Sequence, residues 1–167
     1  MRDSRYIAVH RGGPLTLERH RLLAVWAADC AEHLLPLFRA QRPEDNRPAL
    51  AIEAARAWAR GEITVGTARD AAVAAHAAAR DAGEGAACFV ARASGHAVAT
   101  AHAADHAPGA AIYVIKAIRA ASNPADTESA VAEEHRWQIE QLPAEIRELV
   151  LSTFEEKFAF MRLPSQR

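Results

Sequence analysis

Cysteine is nearly absent from this 167-residue chain: Cys30 and Cys88 allow one disulfide at most. Both lie in apolar, helix-compatible stretches, where a reduced and packed thiol is expected, so a disulfide-built scaffold is excluded. Lysine is scarce too, with two residues against 18 arginines. No basic run interleaved with aromatics occurs, and nucleic acid is therefore not an expected partner. Aromatics make up only 6% of the chain, so large rings cannot fill the core. No window approaches the 18 uninterrupted apolar residues of a membrane-crossing helix. The apolar run from Tyr6 to Val9 is too short for a signal-peptide core, and a cytoplasmic protein is expected. A Gly-rich phosphate loop, a nucleophile elbow and a Cys-x-x-Cys pair are also missing, and no cofactor is implied. No Val/Ile/Thr-rich alternating stretch announces a sheet.

What is present is alanine, 41 residues of it, concentrated between Ala68 and Ala111. Alanine has the highest helix propensity, and its small side chain lets helices approach closely. The pattern predicts an all-α protein: one multihelical domain of about seven antiparallel helices with an Ala-rich centre, spanning residues 16–167 after a lead-in segment 1–15. Thr16 is a candidate N-cap for the first helix, whose stripe is Leu23, Trp26, Cys30, Leu34 and Leu37. Pro36 should kink or end it near Leu35. The second helix should start near Asn46, with Pro48 in its first turn, and stop at Gly61. A third is capped by Thr64 and runs to about Ala82, ahead of Gly83 and Gly85. A fourth should run from about Ala86 to His106, where Pro108-Gly109 kinks or breaks it before helix resumes through Ile118. Asn123-Pro124 reads as the start of the next helix, and Leu142-Pro143 turns into the last, with Ile146, Leu149, Val150, Phe154, Phe158 and Met161 on one side. Trp26, Trp58 and Trp137 serve as core anchors.

Against this alanine background a few polar residues stand out. Arg69, His76 and Arg80 share one face of the third helix, and Arg92 and His96 are one turn apart on the fourth, as are His102 and His106. Asp29 and His33 on the first helix, with Arg56 on the second, could complete a cluster of imidazole, guanidinium and carboxylate. Three readings are open. The cluster consists of paired charges that set helix register; or His102 and His106 contribute to a metal site, with no further ligand named; or the arginines bind a small anion, for which guanidinium forks suit carboxylate and phosphate. The last two would make the protein a ligand-binding domain or an enzyme.

Charge is unevenly spread. Residues 1–125 carry 15 basic and 12 acidic side chains, and residues 126–167 carry 5 and 9, for net charges of +3 and -4. The last quarter thus forms an acidic surface, with Glu133, Glu134, Glu145 and Glu148 as candidate contacts for a basic protein partner. The apolar side from Ile146 to Met161 offers a third use, as a homo-oligomer interface.

Several phrases carry a family resemblance. Trp26-Ala27-Ala28-Asp29-Cys30-Ala31-Glu32-His33, Ala54-Ala55-Arg56-Ala57-Trp58, Ala74-Ala75-His76-Ala77-Ala78-Ala79-Arg80 and Gly95-His96-Ala97-Val98-Ala99-Thr100-Ala101-His102 resemble the bacterial "putative immunity protein" family. Arg136-Trp137-Gln138 and Gln141-Leu142-Pro143 are similar to its C-terminal part. This is the helical immunity-five-like domain of polymorphic toxin systems, and the resemblance covers about residues 16–152. It implies a non-catalytic protein that neutralises a cognate toxin by binding it, and it brings no active-site set with it. Pro108 departs from the family, where a helix-compatible residue is expected.

Overall fold

Thr16, Thr64 and a series of prolines mark where helices begin, and the computed structural model, which describes residues 3–157, follows most of those marks. Helix α1 spans Leu17–His33, with the Thr16 hydroxyl accepting the Arg19 N–H at 3.3 Å. Pro36 sits in the first turn of α2 (Leu35–Gln41), so it opens a new short helix where the sequence suggested only an end. Helix α3 spans Arg47–Ala59, with Pro48 in its first turn. The Asn46 side chain makes no capping bond there; the Asp45 carboxylate accepts the Arg47 N–H at 3.1 Å. Helix α4 spans Val65–Ala82 and is capped by Thr64, which accepts the Thr67 N–H at 3.1 Å. Gly61 and Gly83, both at φ 78°, end α3 and α4 in the left-handed region that glycine enters without strain.

Two boundaries differ from expectation. Helix α5 covers Ala86–Ala99 and stops well before His106. Thr100 turns its hydroxyl back onto the His96 carbonyl at 3.1 Å, the chain leaves the helix, and a 3-10 turn at Ala104–His106 leads into α6 (Ala107–Ala121). Pro108 lies in the first turn of α6, where its missing N–H costs nothing and its fixed φ suits helix initiation. Of the kink and the break that the sequence left open, the structure shows a break, and it falls after Ala99, ahead of Pro108. Helix α7 (Thr127–Glu140) starts later than Asn123-Pro124 suggested, because those residues form a turn closed by the Thr127 hydroxyl on the Asn123 carbonyl at 2.9 Å. Helix α8 spans Ala144–Lys157. No strand occurs among the described residues.

Helix α5 is the centre of the molecule. It packs against α1, α2, α3, α4 and α6 and buries residues on nearly every side, as a helix apolar all round must. Alanine supplies 25 of the 45 buried hydrophobic residues among those described, so stabilisation comes from many small groups and close helix approach. Trp26, Phe38, Leu15, Leu23, Ile52 and Ile115 are the large side chains fully enclosed. Cys30 and Cys88 are free thiols, and burial pushes Cys30 up. The N-terminal segment is tied to α8: the Tyr6 and Thr153 hydroxyls are 2.9 Å apart, and Arg5 donates to Ser152 and pairs with Glu156. Ile146, Leu149, Val150 and Phe154 are buried in the chain's own core, so this side of α8 is not open for a second copy. Phe158 and Met161 lie outside the described residues.

One buried polar network joins α7 to the core. The Trp26 indole N–H donates to the Gln138 carbonyl at 2.9 Å. The Gln138 amide donates to the Ala111 carbonyl at 3.2 Å and to Glu134 at 3.1 Å. Replacing Gln138 by Leu removes a donor from a buried carboxylate, and a cost of about 2–3 kcal/mol is expected. Urea unfolding of the two proteins measures it; an unchanged midpoint would mean the network contributes nothing.

Candidate functional site

The ten polar residues singled out in the sequence do not form one cluster. Arg56 on α3 spans to α1, where it meets Asp29 at 2.7 Å and Glu32 at 2.6 Å. This is an ion triad at the surface, and it holds the Arg56 guanidinium fully charged. His33, at the end of α1, turns away from Asp29 towards α7. Its Nδ1 is 2.8 Å from Glu134, and its ring stacks on Trp137 with centroids 3.8 Å apart. Glu134 is only 5% exposed, so it belongs to the interior and not to the acidic surface proposed from the sequence. Burial pushes its carboxyl above the usual range, opposed by His33 and Gln138. Glu133, Glu145 and Glu148 are exposed. A signal for Glu134 existed: with Val131 and Gln138 it falls at helical spacing on the buried side of α7.

His76, His96, His102 and His106 do assemble, as a chain of rings between α4, α5 and the start of α6. His76 meets His96 edge-on at 5.5 Å, His96 meets His106 at 5.1 Å, and His106 meets His102 at 5.1 Å. The Nδ1 atoms of His96 and His106 are 3.2 Å apart, so one ring donates and the other accepts. Tyr113 lies 5.0 Å from the His96 ring, and the Lys116 ammonium sits over the tyrosine face at 4.8 Å. Arg80 and Arg92 stand one turn from His76 and His96 and act on them electrostatically. Arg69 stands apart, exposed nearer the start of α4. His102 precedes the 3-10 turn and His106 is its last residue, so they do not share one regular helix face. Among the described residues no three His, Cys, Asp or Glu side chains are grouped as a metal site requires.

Two glycines make this arrangement possible. A Cβ at Gly95 would lie 2.5–2.8 Å from three atoms of the His76 ring, and one at Gly109 would lie 2.7 Å from His96 Nδ1. Between helices spaced by alanine, an imidazole needs a position with no side chain opposite it. Burial, with Arg92 second, lowers His76; burial, then His106, His76, Arg92 and Lys116, holds His96 down to about 3. His76 Nδ1 is buried without a hydrogen-bond partner among the described residues.

A cavity of about 240 Å³ lies beyond the far end of the ring chain, between the N-terminal segment and the α5–α6 connection. Tyr6, His20, Trp58, His102 and Asp105 line it. His20 Nε2 is 2.6 Å from the Thr100 carbonyl, and the ring lies 4.8 Å from Trp58. The sequence pointed to Trp58 as an anchor and missed His20, because the helical stripe of α1 was read from its apolar members alone.

Comparison with known proteins places the chain by family. The model of the Imm-5 like putative immunity protein family matches residues 13–145, from the N-terminal loop to the beginning of α8. No curated protein and no solved structure matches.

The geometry predicts two outcomes. Burial lowers His20, His76, His96 and His135 below the ordinary 6.5. The unfolded chain binds these protons near pH 6.5, and the folded chain binds the His96 proton only near 3. Stability is therefore full above pH 6.5 and lost as pH falls through that window. Glu134, raised by burial, works in the opposite direction above 4.5 but is one group against four. Chemical unfolding from pH 7 to 4 checks this, and His96→Gln should flatten the slope. Second, Gly95→Ala should cost about 1–3 kcal/mol through overpacking against His76. The same change in a His76→Ala background should stabilise by about 1 kcal/mol, the helix-propensity difference. A double-mutant cycle without coupling would contradict the close approach.

Proposed function

The chain belongs to the Imm-5 like putative immunity protein family, and on that footing we propose that it binds a cognate toxin and neutralises it without catalysing a reaction. The family match across residues 13–145 carries this reading, because it takes in almost the whole helical assembly. A protein that neutralises by occlusion needs a rigid surface complementary to its target, and no reacting groups of its own.

The acidic residues of α7 and α8 support a basic partner. Six carboxylates elsewhere are matched within the chain: Asp29 and Glu32 by Arg56, Asp45 and Asp81 by Arg47, and Glu53 and Glu62 by Arg60. Glu133 and Glu140, two turns apart on α7, form no ion pair among the described residues, and neither do Glu145 and Glu148, one turn apart on α8. An unmatched carboxylate keeps its field, attracts a positively charged surface and speeds encounter with it. Glu134 is left out of this surface because it is buried against His33 and Gln138. No helix among the described residues is long and apolar enough to cross a membrane.

The test is complex formation with a toxin domain encoded beside this gene, together with protection of cells that express it. Reversing Glu133, Glu145 and Glu148 to Lys should weaken the complex at least tenfold, about 1.4 kcal/mol, and reduce the association rate most at low salt. The thermal transition should stay within a few degrees, since all three side chains are exposed. Protection that survives the triple reversal would place the toxin on another surface. Absence of any complex with the neighbouring toxin would remove the neutralising role itself.

A further inference from the structure

We propose that the cavity beside His20 and Trp58 binds a small uncharged aromatic carboxamide. Its N–H meets His20 Nδ1, and its carbonyl meets the Trp58 indole N–H. The cavity shares no lining residue with the acidic surface assigned to a toxin.

Five segments converge on this space of about 240 Å³. They are the N-terminal loop, Leu17 and His20 of α1, Trp58 near the end of α3, Val65 at the start of α4, and the turn from Ala101 to Asp105. Pockets for drug-sized ligands run from about 300 to 1,000 Å³, so the occupant here is a single small ring with one substituent.

Two unmet hydrogen-bonding groups carry the assignment. His20 is 5% exposed, and its Nε2 lies 2.6 Å from the Thr100 carbonyl. A carbonyl has no hydrogen to give, so Nε2 carries the proton. Burial keeps the ring neutral, opposed by the Thr100 carbonyl and helped by His10 and Arg11. In that tautomer Nδ1 is a lone-pair acceptor, and it makes no hydrogen bond among the described residues. Trp58 is 8% exposed, and its indole N–H is likewise without an acceptor among the described residues, whereas Trp26 donates to Gln138. A buried indole ordinarily finds one. Neither nitrogen is sealed in packed protein as His76 Nδ1 is. The two ring centroids are 4.8 Å apart and both rings line the cavity, so one guest can reach both.

An open acceptor beside an open donor defines the guest's polar end. It must donate and accept through neighbouring atoms, as a primary carboxamide does. A carboxylate offers acceptors alone and would set a lone pair against His20 Nδ1. A hydrocarbon would leave both nitrogens unsatisfied, at the desolvation cost of each. The remaining lining favours a ring. Leu17 and Val65 are two of the five large apolar side chains left exposed among the described residues, and both line this cavity. Ala101, Ala103 and Ala104 add small apolar wall. Arg11 and Asp105 give the wall both signs of charge, so no field of one sign selects an ion.

Titration of the isotope-labelled full chain with benzamide near neutral pH, followed by the indole N–H signals of the three tryptophans, tests this. Saturation at about 1 mM or tighter is expected, within reach of a ligand of about nine non-hydrogen atoms. The Trp58 signal, identified by its loss in Trp58→Phe, should move downfield while that of Trp26 stays fixed. Acetophenone has a methyl group where benzamide has its amide nitrogen, and it should bind about tenfold more weakly, as should benzoate. Acetamide, which lacks the ring, should also be weaker by about tenfold or more. This ligand series is read on the unaltered chain, so no folding defect enters it. His20→Gln keeps an N–H for the Thr100 carbonyl and withdraws the imidazole acceptor; it should lose about tenfold for benzamide and little for acetophenone. Failure of benzamide to saturate at tens of millimolar, or a stationary Trp58 signal, would overturn the proposal. So would acetophenone, benzoate or acetamide binding as tightly as benzamide. Toxin binding is read from a separate complex, and none of these results bears on it.

Discussion

Close approach of alanine-lined helices is the constraint on which the rest of this molecule depends. Helix α5 can touch five other helices only because the facing side chains are small. The same closeness leaves almost no room for a polar side chain between α4, α5 and α6. The His76 and His96 rings are seated there against residues with no side chain, Gly95 beneath His76 and Gly109 beneath His96. A distance between helices thus determines where chemistry can be placed, and side-chain volume sets that distance.

Charge is handled in two ways. On α1, α3 and the loops around them, arginines bridge pairs of carboxylates and leave little field outside. Such exposed pairs contribute little to stability, but they cancel charge locally. On α7 and α8, Glu128 is held by Arg119 and Glu156 by Arg5, but Glu133, Glu140, Glu145 and Glu148 form no ion pair among the described residues. The near-zero net charge of the chain therefore conceals two poles of opposite sign. Membership of an immunity family gives the acidic pole a natural use.

Most of the helices were legible in the sequence because their signals are local. Thr16 and Thr64 are capping residues, Pro48 is a first-turn residue and Gly61 is a stop, and each acts within one turn of its own position. The break after Ala99 was not legible, because Pro108 marks a helix start and cannot say where the preceding helix ends. Thr100, which turns back onto His96, was the overlooked local signal. The candidate site was partly legible. Spacing along one helix brought His76 to Arg80 and Arg92 to His96, but it could not exclude Asp29, His33 and Arg56, which lie elsewhere. Glu134 was read as surface from its charge alone, although its register with Val131 and Gln138 placed it inside.

The sequence alone determined that the chain is helical, where most turns fall, and that its charge is divided between two regions, because propensity, capping and composition act over a few residues. Only the tertiary structure decided which of the scattered histidines and arginines meet and which glutamate is buried. Those outcomes depend on the distance and rotation between helices far apart in the chain, and alanine, being nearly featureless, records neither in the sequence.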